Sequence, residues 1–302
     1  MSVLPPPSSL SEDVAPVRDE TVAPSERDGS PLLRKLRDSK APSVFKPENL
    51  LREGRRQRGL PEGDVPEICV LDPDGDLMRL LRHDGRGRLC PGWACYHSEL
   101  FEFDLANGGV AGVIGCAVGA SYAVLVAEQL FASGCRLLIS ITSAGLIADL
   151  GDPPYVVLIE RALRDEGTSA HYLPLSDFAS APDTALLDRV ESELRREFPP
   201  ECSIALHRGA TWTTDAPYRE TEPAIAAARS SGALAVEMEA AALYAFGTAK
   251  RVLVVCFAHV TNSMAQHGVN DFEKGEGQGT VTALRLIEAA TRAFRSHAQR
   301  RF

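Results

Sequence analysis

A chain of 302 residues, of which 44% are hydrophobic and 24% charged, can bury a large core in one domain or two. The net charge of −9 argues against a general nucleic-acid-binding protein, because such a protein needs a basic surface. No apolar run reaches the ~18 residues of a membrane helix, and residues 1–12 lack the basic start and apolar centre of a signal peptide.

The seven cysteines are an odd number, are scattered along the chain and show no CxxC spacing. The histidines form no HExxH or HxH cluster. We therefore predict no metal site, and we interpret the cysteines as reduced core residues of a cytoplasmic protein.

Residues 1–43 are rich in proline and serine and have almost no apolar periodicity. Such a segment cannot bury enough apolar surface to order itself. We therefore predict that residues 1–43 are disordered or loosely attached and that residues 44–302 form a single domain. A basic cluster follows in a short predicted helix after Pro47, and a solvated face or a packing arm against a neighbouring subunit is favoured over a nucleic-acid contact. The cluster consists of Arg52, Arg55, Arg56 and Arg58.

Apolar strands are predicted at residues 68–71 and 108–119, and the second strand ends in a glycine turn. A helix over residues 121–133, with Ser121 as the candidate N-cap, and a strand over residues 136–141 follow. Strand, helix and strand at this spacing predict a βαβ unit with parallel strands. The glycines of the second strand lack the GxGxxG spacing, which argues against a nicotinamide-dependent enzyme.

Further along the chain, strands are predicted at residues 155–160 and 251–260. A solvated surface helix is predicted at residues 183–197 and a last helix at residues 281–294. The fold class is therefore α/β.

Residues 235–244 surround two carboxylates, Glu237 and Glu239, with small and apolar side chains. If the segment is helical, Glu239 shares a face with Leu243 and Phe246, whereas Glu237 lies about 200° away, so at most one carboxylate faces a common site. A carboxylate on an apolar face needs a polar partner or holds a ligand, because burying it alone is costly. The alternative is an ordinary surface helix start, in which the charge interacts favourably with the helix dipole.

The run Val236-Glu237-Met238-Glu239-Ala240-Ala241 resembles the ribose-binding signature of the nucleoside phosphorylase family, which includes uridine phosphorylases, purine nucleoside phosphorylases and hydrolytic nucleosidases. With the segments described next, the resemblance covers roughly residues 68–296. It implies a three-layer α/β/α fold with a central mixed, mostly parallel sheet, and a catalytic domain over residues 44–302. The ribose-binding residues that it implies are Met238, Glu239, Glu237 and His171.

Gly75-Asp76-Leu77-Met78-Arg79 resembles the phosphate loop of the family, although Pro73-Asp74 leaves one extra residue before it. Ser143 matches the hydroxyl that binds phosphate in that family. The resemblance therefore implies that Gly75, Arg79 and Ser143 bind phosphate. Two family arginines are missing, because Ser140 stands at one position and Ser98 near the other. Candidate replacements are His97, Arg86 and Arg88.

Residues 208–221 form a polar, aromatic-rich strand end whose composition suits a pocket for the base, although a packed hairpin edge is the alternative. Asn262, at the end of the predicted strand 251–260, corresponds to a base-binding position of the family or is a structural turn residue. The resemblance implies catalytic roles for Asn262 and Arg79. The implied base-binding residues are Thr214, Asp215, Tyr218, Arg219 and Glu220.

The predicted activity is phosphorolysis of the N-glycosidic bond of a nucleoside, of the uridine phosphorylase type, with phosphate as co-substrate and no cofactor. The first alternative is hydrolysis by a nucleosidase, because the missing arginines weaken phosphate binding, and Asp76 or Glu99 would then serve as the base. The second alternative is a non-catalytic nucleoside-binding protein. The resemblance implies nucleoside and phosphate as partners, no nucleic acid or membrane, and a homo-oligomer, either a dimer or a hexamer of dimers.

Overall fold

The long strands of the protein form one mixed sheet that is covered by helices. A computed structural model describes residues 39, 41–199, 201–202, 204–263 and 278–299, with only the backbone of residues 261–263 and 278. Residues from Ser39 onward belong to one compact unit. Most of the segment 1–43, predicted to be disordered, and the side chain of Asn262 lie outside the described residues.

Seven α-helices lie in the described part of the chain. They are α1 (Pro47–Arg58), α2 (Asp76–His83), α3 (Ala120–Ala132), α4 (Thr184–Glu197), α5 (Glu222–Ser230), α6 (Ala240–Lys250) and α7 (Gln278–Ala298). The ten described strands are β1 (Ile68–Asp72), β2 (Arg88–Leu89), β3 (Phe101–Asp104), β4 (Val110–Gly115), β5 (Leu137–Leu146), β6 (Tyr155–Asp165), β7 (Phe178–Ser180), β8 (Ala205–Thr214), β9 (Ala233–Glu237) and β10 (Leu253–Ser263).

Strand β5 is the centre of the sheet. Along one edge β5 pairs in parallel with β10. On its other edge β5 pairs in parallel with β1 and, near its end, in antiparallel orientation with β9. Because β10 also pairs with β6, β6 with β8 and β8 with β9, these strands close into a ring. Strands β1, β4, β3 and β2 extend from it in that order. This mixed α/β sheet confirms the predicted fold class.

Side-chain burial explains why the central strands read as continuous apolar runs. All five residues of β1 are buried, because helices cover both faces of a strand that has parallel neighbours on both edges. Helix α4 differs from its prediction as a solvated helix, since one of its faces is in the core. That face consists of Leu186, Leu187, Val190 and Leu194.

Two local predictions are corrected by the fold. Strands β4 and β5 of the predicted βαβ unit are parallel, but they are not neighbours, because β1 inserts between them and pairs with both. Helix α3 begins at Ala120 with Gly119 as its N-cap residue, so Ser121 is not the cap.

The basic cluster of α1 binds the protein's own chain. Arg55 donates a hydrogen bond to the carbonyl of Gly92 at 3.2 Å, and Arg58 donates one to the carbonyl of Cys95 at 3.0 Å. These contacts hold α1 against residues 92–95 of its own chain, and packing against a neighbouring subunit stays a prediction.

The seven cysteines are free thiols. None of the described helices is both long and apolar enough to cross a membrane. In the same part of the chain, no group of three or more His, Cys, Asp or Glu side chains is arranged to hold a metal ion.

The fold brings chemistry-bearing loops to one edge of the sheet. Strands β1, β4, β5 and β10 run in the same direction, so their carboxyl ends share that edge. In open α/β sheets ligands bind at this edge.

Candidate active site

A cavity of about 450 Å³ lies at the carboxyl ends of β1, β5 and β10. Its polar lining comes from the end of β1 and the loop after it, from α2, from the ends of β5 and β10 and from the start of α7. The polar lining side chains include Asp72, Asp74, Asp76, Arg79, Ser143 and His259. The structure therefore brings two of the predicted phosphate-binding residues, Arg79 and Ser143, to one cavity.

The carboxylate of Asp74 occupies the hydrogen-bond donors of Ser143. Its Oδ2 accepts the backbone N–H of Ser143 at 3.0 Å and the Ser143 hydroxyl at 2.5 Å. A hydroxyl and an N–H that converge on one point are an anion-binding arrangement. Here the chain itself supplies the anion, which is the carboxylate of Asp74. Asp74 belongs to the pair Pro73-Asp74, which leaves one extra residue before the predicted phosphate loop.

Gly75 precedes α2 in the left-handed conformation, with φ of 75°. A Cβ at this position would lie 2.7 Å from Sγ of Cys116 and 2.8 Å from Nη1 of Arg79, so only glycine fits. The N–H of Gly75 donates to the carbonyl of Asp72 at 2.9 Å. That N–H, predicted to bind phosphate, therefore closes a turn instead.

The charge of the cavity lining is mostly negative. Burial raises the pKa of Asp72 to about 6, and the charges of Asp74 and Asp76 add to the shift, whereas the N–H groups of Met78 and Gly75 oppose it. With this pKa, Asp72 is largely ionised at neutral pH.

The cation of the cavity is engaged by the same loop. Arg79 donates to the backbone carbonyl of Asp74 at 2.7 Å and to the carboxylate of Asp76. It is the one arginine among the described lining residues. Its position agrees with the predicted phosphate loop, but its charge is already paired.

The serines at the missing-arginine positions, the candidate replacements for those arginines and the candidate base Glu99 are absent from the described cavity lining. Ser140 is buried and its hydroxyl has no partner in the described part of the chain. Arg88 pairs with Asp104. Ser98 accepts the indole N–H of Trp93. The exposed side chains of His97, Arg86 and Glu99 are absent from the described cavity lining.

Glu239 is almost completely buried, with 1% of its surface exposed. Its Oε1 accepts the N–H of Gly119, the residue before α3, at 2.7 Å. Its Oε2 has no hydrogen-bond partner among the described residues. This environment excludes the alternative of an ordinary surface helix start.

The pKa of the Glu239 carboxyl is raised to about 8, mainly by burial and secondly by the negative charge of Glu237. The N–H of Gly119 and the hydroxyl of Thr142 oppose the shift. Thr142 lines the cavity beside Ser143, so Glu239 lies next to the cavity wall. Met238, the other main ribose candidate, is half-buried.

The prediction that Glu237 contacts ribose is corrected by its contacts. The segment is not one helix, because β9 runs to Glu237 and α6 begins at Ala240. Both oxygens of Glu237 accept hydrogen bonds from the protein. The carboxylate is therefore saturated by the chain, and only Glu239 retains an unpartnered oxygen.

The predicted base-binding residues follow β8 and differ in their exposure. Thr214 is buried and accepts the N–H of Ala216 at 3.2 Å. Asp215 accepts the N–H of Gly167 at 2.9 Å, which ties this loop to the loop after β6. Burial raises the pKa of Glu220 to about 6.

Tyr218 and Arg219 do not line the described cavity. Tyr218 is 99% exposed and Arg219 is also exposed, so neither is packed against its own chain. The physical reason is that residues Pro217–Arg219 form a short 3₁₀ helix that projects from the end of β8. His171 is exposed as well and lines a second cavity of about 900 Å³ between α1, α3 and α6.

Sequence reasoning missed His259, which follows the apolar first half of strand β10. It lies beside Ser143 in the parallel register and lines the cavity. Burial lowers its pKa and the charge of Asp74 opposes this shift, so the ring is neutral at neutral pH. The signal that could have found it is one imidazole within the apolar run at residues 252–260.

A family model described as the phosphorylase superfamily matches residues 67–292. The chain belongs to the phosphorylase superfamily. Membership confirms the resemblance drawn from the Val-Glu-Met-Glu run and identifies the protein as an enzyme that acts on nucleosides. A comparison with curated proteins finds no match to this chain. Within the phosphorylase superfamily, the cavity at the ends of β1, β5 and β10 is the candidate active site.

Proposed function

We propose that this protein hydrolyses the N-glycosidic bond of a nucleoside, with water rather than phosphate as the acceptor. The observation that carries the proposal is the pair of hydrogen bonds from the N–H and hydroxyl of Ser143 to the carboxylate of Asp74. A phosphate would need these same donors, and it would have to displace an anion that is covalently part of the chain.

The charges in the cavity also favour water over phosphate as the acceptor. A phosphate entering the cavity would meet the carboxylates of Asp72, Asp74 and Asp76, whereas Arg79 is already paired with Asp76. Two like charges 4 Å apart repel by about 1–4 kcal/mol in environments between water and a protein surface. Neutral water has no such penalty.

The reaction that we propose passes through an oxocarbenium-like pentosyl group. Glu239 and Met238 would hold the sugar, with Oε2 of Glu239 facing a hydroxyl. Water attacks the anomeric carbon and gives a proton to the carboxylate of Asp74, so that a C–O bond forms while the C–N bond breaks. The electron pair of that bond leaves with the base, which takes up a proton. Catalysis then comes from positioning and electrostatics.

The base would lie against the loop after β8. Thr214 and Asp215 are held there by the chain, and Glu220 has a pKa near neutrality that suits proton transfer to a leaving base. Asn262 stays a prediction for this role, as do Tyr218 and Arg219. The assembly into dimers or a hexamer of dimers also stays a prediction.

Phosphorolysis is the second candidate function, because Gly75, Arg79 and Ser143 lie close together as the resemblance to nucleoside phosphorylases implies. A simple experiment separates the two. The protein is incubated with adenosine, inosine, uridine and thymidine, with and without phosphate, and free base, free pentose and pentose 1-phosphate are measured. Hydrolysis predicts base and free pentose in phosphate-free buffer. Turnover that requires phosphate would contradict it, and no base in either condition would favour a binding protein.

A further inference from the structure

Glu237 is a buried carboxylate that accepts four hydrogen bonds. Its Oε1 accepts the hydroxyls of Thr211 and Thr213 from β8, at 3.0 and 2.5 Å. Its Oε2 accepts the backbone N–H groups of Glu239 and Ala240, both at 2.7 Å. Burial raises the pKa of Glu237, and its four hydrogen-bond donors oppose that shift. Through these bonds the side chain joins the end of β9, the neighbouring strand β8 and the start of α6.

Glu237 also takes over a task that would otherwise fall to Glu239. Glu239 is the N-cap residue of α6, and the side chain at this position usually accepts an N–H of the first helical turn. Here the Glu239 side chain makes no such bond. Because Glu237 accepts the N–H groups at the helix start, the carboxylate of Glu239 can turn to the N–H of Gly119 and keep one oxygen unpartnered.

We propose that Glu237 is a positioning residue for the sugar site: it fixes the backbone of Glu239 and frees the Glu239 carboxylate for the pentose. This inference rests on the proposed function only in taking the ligand to be a nucleoside. It assigns Glu237 to the protein side of the site, away from the substrate.

The groups around Glu239 are consistent with this role. Glu237 and the buried thiol of Cys256 are the titratable described groups that interact with it, and the Gly119 N–H and the Thr142 hydroxyl are its polar neighbours. Burial is the main cause that raises the pKa of Glu239, and the charge of Glu237 comes second. Removing that charge should therefore lower the pKa without removing the burial.

The test variant is Glu237→Gln, in which the amide oxygen can still accept the N–H groups of α6 while its NH₂ faces the two threonine hydroxyls. The matched control is Asp183→Asn, because Asp183 also accepts an N–H at a helix start, that of Leu186 at 2.8 Å in α4, far along the chain from the site. The Glu239 carboxyl is followed by ¹³C NMR titration, and the affinities for adenosine and uridine are measured by calorimetry across pH.

We expect the Glu239 titration in Glu237→Gln to move to lower pH by about one unit, with the pH dependence of nucleoside binding moving in the same direction. In Asp183→Asn both should stay at their wild-type positions. If Glu237→Gln loses stability as the control does while the Glu239 titration and the affinities are unchanged, Glu237 is a structural cap and the inference is wrong.

Thr211→Val removes one donor and keeps the charge, so it covers the case in which Glu237→Gln does not fold. Because the charge stays, the Glu239 titration should keep its wild-type position, whereas the nucleoside affinity should fall because Glu237 is held less firmly. An unchanged affinity would overturn the inference. The titration does not depend on turnover, so its outcome is separable from that of the proposed function. A shifted titration in a protein that releases no base would contradict hydrolysis alone. Base release with an unshifted titration would contradict only the role of Glu237.

Discussion

Replacing Asp74 with alanine removes the one acceptor that engages both the N–H and the hydroxyl of Ser143. The variant should lose hydrolysis, because it lacks the carboxylate that takes a proton from water. It should also gain affinity for phosphate, because the two donors become available and a negative charge leaves the cavity. The two effects are expected together, since they have the same cause.

The size of the gain follows from the contacts of Ser143. Hydrogen bonds to a charged acceptor contribute about 1.5–3 kcal/mol each, so two of them correspond to about 3–6 kcal/mol, or roughly 10²–10⁴ in affinity. Solvent screening in an open cavity reduces this range. We therefore expect the dissociation constant for phosphate to fall by about tenfold to a hundredfold.

Phosphate binding is measured by calorimetry, and products are measured with and without phosphate. Asp76→Asn is the control, since it removes a carboxylate from the same cavity but one that contacts Arg79 instead of Ser143. Asp76→Asn should also bind phosphate more tightly, because it releases Arg79, but it should keep hydrolysis because Asp74 remains. The reasoning is refuted if Asp74→Ala binds phosphate no better than the wild type, or if it hydrolyses nucleosides at an unchanged rate.

Three further predictions concern stability. Glu239 has a folded pKa of about 8, above its ordinary value of 4.5, so its contribution to stability is present below the ordinary value and is lost as pH rises towards 8. As pH rises from about 5 to about 8, the free energy of unfolding measured in urea should therefore fall less for Glu239→Gln than for the wild type. The difference between the two is up to about 1.4 kcal/mol per pH unit. Gly75→Ala should lower the free energy of unfolding by more than Gly85→Ala, for which we expect a loss of roughly 1 kcal/mol. Both glycines have positive φ, but of the two only Gly75 also lacks space for a Cβ. Equal losses in urea unfolding would contradict this. Tyr244→Phe should lower the free energy of unfolding by roughly 1–3 kcal/mol in the same assay. The reason is that the N–H of Cys256 and the carbonyl of Ile159 lose the Tyr244 hydroxyl as their partner. A loss below about 0.5 kcal/mol would argue against these bonds.

Much of the fold could be predicted because its signals are local. The buried strand at residues 68–72 and the helix after Gly119 are visible as an apolar run and a glycine turn. The insertion of β1 between β4 and β5 could not be predicted, because strand order depends on contacts between distant segments.

The candidate site divides in the same way. The Val-Glu-Met-Glu run identified the family and the buried Glu239, since the motif is contiguous. The roles of Glu237 and Glu239 could be separated only once β9 was seen to end at Glu237 and α6 to begin at Ala240. Asp74 was overlooked because its partner, Ser143, is 69 residues away, and only the fold brings them together.

A single-turnover reaction in H₂¹⁸O with saturating phosphate present, followed by mass spectrometry of the sugar product, decides whether water or phosphate attacks the sugar. Hydrolysis predicts free pentose that carries one ¹⁸O atom at the anomeric position. Pentose 1-phosphate without ¹⁸O would contradict it.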